Sequence, residues 1–118
     1  MSNEPEREPG RLIDLGELTM SSEREGDVHT LSLFGALDLS TADGVQDEFL
    51  RVESGDASAI VLDLSGVTFV DSIGVRTVLH AASISRNDDK DLTLLRGPDA
   101  VQQLFELAGL EDILPFAD

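Results

Sequence analysis

Hydrophobic and polar positions change their spacing several times along the chain. Residues 1–16 carry prolines and glycines among charged side chains and few apolar ones, which predicts a flexible acidic tail. Apolar and polar residues then alternate over residues 17–22 and 28–34, as they do in half-buried strands. Because the Glu25-Gly26-Asp27 sequence between these segments favours a turn, the pattern predicts a β-hairpin.

Beyond residue 40, stretches with helical spacing alternate with short apolar runs. The helices are predicted over residues 42–53, 72–85 and 98–108. Ser40 or Thr41 is expected to cap the first helix, and Gly109 to end the last. The apolar runs at residues 59–64 and 92–95 are typical of strands covered on both faces. Gly66 is expected to break the first run, and residues 110–116 leave room for a short last strand.

This order of elements predicts one α/β domain over residues 17–118. We expect a mixed sheet that begins with the N-terminal hairpin and continues with parallel strands, with the helices packed against it through right-handed crossovers. In such sheets, functional surfaces gather where the carboxyl ends of strands meet the N-termini of helices. That junction is predicted at residues 69–74, Phe-Val-Asp-Ser-Ile-Gly.

Charge and composition narrow the classes of function. The formal net charge of −16 disfavours binding to nucleic acids and to anionic membranes, and it favours a soluble protein that is monomeric in isolation. The absence of cysteine excludes disulfides, thiol catalysis and cysteine-based zinc sites, and a cytoplasmic location is expected. The sequence has no apolar run of about 18 residues, so no membrane span is predicted, and no signal peptide is expected in residues 1–11.

Ser72 is the leading candidate for chemistry. It lies at or just before a predicted helix N-terminus, where unpaired N–H groups and the positive end of the helix dipole suit an oxyanion. A phosphate there would add a charge of about −1.5 to −2 beside Asp71. Gly74 has no side chain, so a phosphate or a partner is expected to approach closely. The structural alternative makes Ser72 a helix N-cap and Asp71 an ordinary acid at a strand end.

A serine hydrolase is the enzymatic alternative at Ser72. The nucleophile elbow G-x-S-x-G requires a glycine where this chain has Val70. The histidines are His29 and His80, both expected at the surface or half-buried. His80 would lie roughly 12 Å along the helix axis from Ser72, which is too far for a general base.

Metal and nucleotide sites find no support in the sequence. Asp88, Asp89 and Asp91 cluster in a predicted loop, but they lack the spacing of a calcium-binding loop and its closing glutamate. No glycine-rich loop is followed by a G-K-[ST] motif. We therefore expect neither a metal nor a cofactor.

Three stretches of the sequence resemble the STAS domain family, and within it the bacterial anti-sigma factor antagonists. They are residues 34–42 (FGALDLSTA), 60–75 (IVLDLSGVTFVDSIGV) and 104–110 (LFELAGL). The second stretch carries the D-S-[ST]-G-[LV] pattern of the family's switch, with one departure at its third position. The resemblance covers about residues 17–116 in the family's order and spacing.

The resemblance implies a partner switch rather than an enzyme. In this family the unmodified antagonist binds a serine-kinase anti-sigma factor, and a sigma factor is released. The kinase phosphorylates the first serine of the switch, here Ser72, and a serine phosphatase resets it. The partner-binding residues carried over are Asp38, Ser40, Thr41, Asp71, Ser72, Ile73, Gly74, Val75 and Arg76. For Asp38, a role in starting the turn into the first helix is the open alternative.

Ile73 is the departure from the family pattern, which often has Ser or Thr after the modified serine. The hydroxyl of Ser72 is retained, so phosphorylation stays chemically feasible. The change keeps a second hypothesis open, in which the chain is a STAS scaffold without a phosphoswitch, or an accessory subunit of a signalling or transport complex.

Overall fold

The structure is a computed structural model that describes the backbone of residues 7–117 and the side chains from residue 10 onward. Strands and helices follow one another as β1–β2–β3–α1–β4–α2–β5–α3 in this part of the chain. Their bounds are β1 Arg7–Asp14, β2 Leu18–Glu25, β3 Val28–Leu37, α1 Ala42–Glu53, β4 Ala59–Val70, α2 Ser72–Asn87, β5 Asp91–Leu95 and α3 Asp99–Leu107.

The five described strands form one mixed sheet in the spatial order β1-β2-β3-β4-β5. β1 pairs with β2, and β2 with β3, in antiparallel register. β3 and β4, and then β4 and β5, are parallel, and Leu31, Leu62 and Leu94 lie side by side across them. The predicted hairpin, the parallel strands and the single α/β domain are confirmed.

The strand β1 was not predicted. Residues 7–14, placed in a flexible tail by their composition, pair with β2, with Ile13 opposite Met20. Ile13 packs against the core, and Arg11 donates a hydrogen bond to the carboxylate of Glu48 on α1. An edge strand tolerates proline and glycine because only one of its sides needs partners. Residues 1–6 of the predicted tail lie outside the described residues.

The core lies on one face of the sheet. Alternate residues of the strands are buried there, among them Leu31, Leu62 and Leu94, and side chains of all three helices join them in the same cluster. On the other face, Val61 lies only half-buried outside this cluster, and Phe34 is 50% exposed. The prediction that β4 is covered on both faces is therefore wrong, because Ile60, Leu62 and Leu64 are buried whereas the residues that alternate with them are only half-buried.

Two further expectations fail at β4 and at the end of the chain. Gly66 does not break β4, which continues to Val70; the ring of Phe34 occupies the space that a side chain at Gly66 would need. The segment after α3 forms only a single bridge between Leu94 and Phe116 instead of a strand. Gly109 ends α3 with a positive φ of 76°, as predicted.

Candidate functional site

The site lies where two parallel strands end and two helices begin. Leu37 at the end of β3 lies beside Val70 at the end of β4. The turn that enters α1 and the first turn of α2 follow directly from these residues. The register of β3 and β4 therefore brings Asp38 and Ser72, more than 30 positions apart in the sequence, to the same edge of the sheet.

Asp71 is the N-cap of α2. One oxygen, Oδ1, accepts a hydrogen bond of 2.8 Å from the amide of Gly74, and Oδ2 accepts one of 3.2 Å from the amide of Leu39. The structural alternative that made Ser72 the cap is thus wrong, because the side chain of Asp71 satisfies the N-terminal amide. Ser72 is the first residue of the helix, and it is exposed.

Asp38 organises the turn before α1. Its Oδ1 accepts hydrogen bonds from the amide of Ser40, at 2.9 Å, and from the hydroxyl of Ser40, at 2.7 Å. Its own amide donates to Thr41 Oγ1, and that hydroxyl donates to the carbonyl of Ala36 at 2.7 Å. Thr41 is the N-cap residue of α1, which is one of the two predicted positions, but its side chain makes no capping hydrogen bond. The alternative role of Asp38, starting the turn, is present in the structure.

Gly74 allows α2 to pack closely against β3, and it does not leave space for a phosphate or a partner protein. It is buried, and a Cβ placed on it would lie 2.1 Å from the carbonyl oxygen of Leu37 and 2.6 Å from Val70 Cγ2. The missing side chain therefore lets the first turn of α2 approach the end of β3. The expectation that a phosphate or a partner approaches over Gly74 is wrong, since protein atoms already fill that side.

The other residues carried over from the family divide into buried and accessible ones. Thr41 is 1% exposed, and Val75 is half-buried against the core. Ile73 is half-buried as well, but it lines a shallow groove of about 560 Å³ between α1 and α2, together with the exposed Arg76. The accessible part of the predicted set is Asp38, Ser40, Asp71, Ser72, Ile73 and Arg76.

Two accessible apolar residues at this edge were missed by sequence reasoning. Leu39 is 74% exposed in the turn after β3, and Phe69 is 53% exposed near the end of β4. Phe69 lies opposite Ala36 in the sheet register, and the amide of Leu39 bonds to Asp71. Their exposure was only weakly indicated by the sequence, in which each residue lies close to a polar turn. Phe69 also continues the apolar residues of β4, which suggested that it is buried.

The histidines are not placed to activate Ser72. His29 is buried, with Nε2 2.7 Å from Ser22 Oγ, so the expectation of a surface or half-buried residue is wrong for it. It lies near the start of β3, beside Ile60 at the start of β4, whereas Ser72 follows the end of β4. His80 is exposed and lines the α1–α2 groove. Among the described residues, no three His, Cys, Asp or Glu side chains are grouped so that they could hold a metal ion.

A buried carboxylate outside the site fixes β1 to α1. Glu48 accepts two hydrogen bonds from Arg51, of 2.9 and 2.8 Å, and two from Nη1 of Arg11, of 3.1 and 3.4 Å. Burial by itself raises the pKa of Glu48, but hydrogen bonds from Arg51 and Ser22 and the charges of both arginines outweigh burial and lower it. Glu48 is therefore charged and satisfied at neutral pH.

Glu53, at the end of α1, is in the opposite situation. It is buried, and its Oε2 has no hydrogen-bond partner. Burial raises the pKa of Glu53, and the neighbouring carboxylate of Asp88 raises it further, against a smaller opposing effect of Lys90. Its charge therefore opposes folding.

Similarity to known proteins assigns this chain to a family. The family model described as "Mlab, STAS domain" matches residues 20–115. The chain belongs to the STAS family. None of the helices in the described part of this STAS domain is long and apolar enough to cross a membrane.

Its curated relatives include anti-sigma-B factor antagonists. The STAS domain is 28% identical over 92 residues to the antagonist from Listeria monocytogenes, a match that covers 78% of this chain and 81% of the relative. It is 23% identical over 97 residues to the one from Staphylococcus aureus, with 82% and 90% covered. The resemblance inferred from three sequence stretches is thereby confirmed.

Solved structures share the fold. An anti-sigma factor antagonist from Mycobacterium paratuberculosis superimposes with a TM-score of 0.74 at 23% identity, over 88% of this chain and 87% of that one. The Bacillus cell fate determinant SpoIIAA in its phosphorylated form gives 0.61 at 19% identity, over 93% and 92%. A sulfate transporter family protein from Wolinella succinogenes gives 0.62 at 16% identity, over 76% and 75%. At these identities the similarity establishes the fold alone.

Proposed function

We propose that this STAS domain is an anti-sigma factor antagonist. In its unphosphorylated form it binds a serine-kinase anti-sigma factor, which releases a sigma factor, and phosphorylation of Ser72 ends the binding. The observation that carries the proposal is the exposed hydroxyl of Ser72 on the first turn of α2, directly after the Asp71 cap. The relatives named as anti-sigma-B factor antagonists support it.

The proposed modification is an ordinary phosphoryl transfer. Ser72 Oγ attacks the γ-phosphorus of the ATP held by the kinase, the bond from that phosphorus to the β,γ-bridging oxygen breaks, and ADP leaves. The hydroxyl proton passes to a base on the kinase. A serine phosphatase then transfers the phosphoryl group to water and restores the hydroxyl. The STAS domain itself supplies the accepting oxygen and no catalytic group.

Electrostatics explain why one phosphate suffices to end binding. The carboxylate of Asp71 is held by the amides of Gly74 and Leu39, so it cannot turn away from a phosphate on the next residue. A partner that covers the site would have to desolvate both negative groups, which is costly without paired cations. Shifting the bound fraction from 99:1 to 1:99 requires about 5.5 kcal/mol, a magnitude within reach of such a charge pair.

Intact-mass spectrometry tests the proposal. The chain is incubated with ATP and each serine-kinase anti-sigma factor of its source organism, alongside Ser72→Ala and Ser65→Ala. Ser65 is the control because it is an exposed serine on β4 that is not one of the predicted partner-binding residues. We expect one phosphate on the wild type and on Ser65→Ala, and none on Ser72→Ala. Phosphate on Ser72→Ala, or on no protein in any pairing, contradicts the proposal.

The proposed function also implies a cellular location, an oligomeric state and a second partner. We propose a cytoplasmic protein that acts as a monomer until it meets its kinase, with the phosphatase as its second partner. Neither nucleic acid nor a membrane surface is a proposed partner, because the net charge of −16 would repel both.

A second candidate function is an accessory STAS subunit of a transport complex. It is favoured by Ile73, by the family model described as "Mlab, STAS domain", and by the fold shared with a sulfate transporter family protein. In that case Ser72→Ala would leave function intact, and affinity purification from the source organism would recover a membrane transporter subunit instead of a kinase.

A further inference from the structure

We infer that Arg76 is the counter-ion of the phosphate on Ser72: once Ser72 is modified, the guanidinium of Arg76 binds that phosphate within the same chain. The inference rests on the proposed function and specifies how the modified state of that site is held. Arg76 lies one helical turn beyond Ser72 on α2, and both side chains are exposed.

The two residues are neighbours on the surface of one helix. Ser72 and Arg76 are the first and fifth residues of α2. Side chains four positions apart in a helix lie one above the other, with Cβ atoms about 5–6 Å apart. An acid placed four residues before a base is the favourable order of such a pair, because the acid is then closer to the positive end of the helix dipole. A phosphate on Ser72 therefore comes within reach of Arg76 without any movement of the backbone.

The guanidinium of Arg76 is available before modification. Within the part of the chain that the structure describes, no side chain forms an ion pair or a hydrogen bond with it. The ion pairs of the described residues use other cations, namely Arg11, Arg24, Arg51 and Arg96. A phosphate on Ser72 thus has no existing partner of Arg76 to displace.

Two carboxylates near Arg76 leave it unpaired for different reasons. Both oxygens of Asp71 accept hydrogen bonds from backbone amides, those of Gly74 and Leu39. Asp43, on the first turn of α1, lines the same groove as Arg76 but forms no ion pair with it. A phosphate carries more charge than either carboxylate, and its oxygens match the two parallel N–H groups of a guanidinium.

The pair changes what a partner meets at this surface. In the unmodified chain the opposite charges of Asp71 and Arg76 sum to zero, and a phosphate on Ser72 adds about −1.5 to −2. One arginine cannot neutralise both the phosphate and Asp71, so the surface stays negative after modification. Phosphorylation thereby adds negative charge and also removes Arg76 from the cations that a partner can contact.

A thermodynamic cycle on the full chain tests the inference. Phosphoserine is incorporated at position 72 during translation, so the experiment needs no kinase. Circular dichroism then gives Tm with and without the phosphate for the wild type, Arg76→Gln and Arg86→Gln. Arg86 is the matched control because it is an exposed arginine of the same helix that forms no ion pair with any described residue. It lies roughly 21 Å along the helix axis from Ser72.

The change in Tm on phosphorylation is the quantity to compare. We expect it to be at least about 2 °C less favourable in Arg76→Gln than in the wild type, and equal to the wild type in Arg86→Gln. Sodium chloride at about 1 M should remove most of the difference, because the ion pair lies at the surface and is screened.

Equal changes in the wild type and in Arg76→Gln would refute the ion pair, and so would an equal loss in Arg86→Gln. Since the phosphate is installed without a kinase, such a result leaves the proposed function standing. Failure of every serine-kinase anti-sigma factor to modify Ser72 has the opposite meaning. It removes the proposed function, while the cycle still measures the pair.

Discussion

Replacing Gly74 by alanine inserts one methyl group between α2 and the end of β3. The new Cβ would lie 2.1 Å from the carbonyl oxygen of Leu37, a backbone atom that cannot rotate away. The helix and the strand would have to separate by about 1 Å to relieve the contact, and overpacking of this kind costs about 1–3 kcal/mol. Alanine returns up to about 1 kcal/mol through its higher helix propensity. We therefore expect a net loss of about 1–2 kcal/mol.

Gly44 is the matched control, since it is the third residue of α1 as Gly74 is the third residue of α2. A Cβ on Gly44 would meet Leu15 Cδ2 at 2.5 Å, but this atom is the end of a flexible side chain that can turn aside. The gain in helix propensity then dominates, so Gly44→Ala is expected to be neutral or to stabilise the fold by up to about 1 kcal/mol.

Thermal denaturation followed by circular dichroism distinguishes these cases. For a chain of this size, about 1 kcal/mol corresponds to roughly 4 °C in Tm. Gly74→Ala should thus melt about 4–8 °C below the wild type, and Gly44→Ala at or slightly above it. A Gly74→Ala variant as stable as the wild type would refute the close approach of α2 to Leu37, and with it the account of why this position holds glycine.

Three further predictions concern the carboxylates. Asp71→Ala should cost about 1 kcal/mol in urea unfolding, while Asp71→Asn, which keeps a capping oxygen, should cost less. The pKa of Glu48 is lowered in the folded state, so its charged carboxylate stabilises the fold above the ordinary glutamate pKa, and this stabilisation is lost as pH falls through the folded pKa. Glu48→Gln should therefore lower the free energy of unfolding at pH 7, and the variant and the wild type should become equally stable at acid pH. The pKa of Glu53 is raised, so wild-type stability falls as pH rises through the folded value. When the free energy of unfolding is measured as a function of pH, Glu53→Gln should fall less steeply than the wild type, and an equally steep fall would contradict the raised pKa.

The sequence by itself determined the order of the elements from β2 to α3 and the position of the Asp71-Ser72 junction between β4 and α2. The period-two segments around Glu25-Gly26-Asp27 gave the hairpin, and the alternation of helical periods with short apolar runs gave the parallel strands. These signals are local, because side-chain periodicity repeats within a few residues of one element. The segment Asp71-Ser72 could be located for the same reason, since a helix start and the end of an apolar run lie next to each other in the chain.

Contacts between distant residues decided the rest. The register that pairs Leu37 with Val70 explains why Gly74 must lack a side chain, and it brings the amide of Leu39 to the carboxylate of Asp71. Composition marked residues 7–14 as a tail, yet pairing with β2 made them a strand. Such outcomes depend on long-range hydrogen bonds and on packing across the sheet. Propensity and periodicity report only the neighbours within one element, so they cannot specify those contacts.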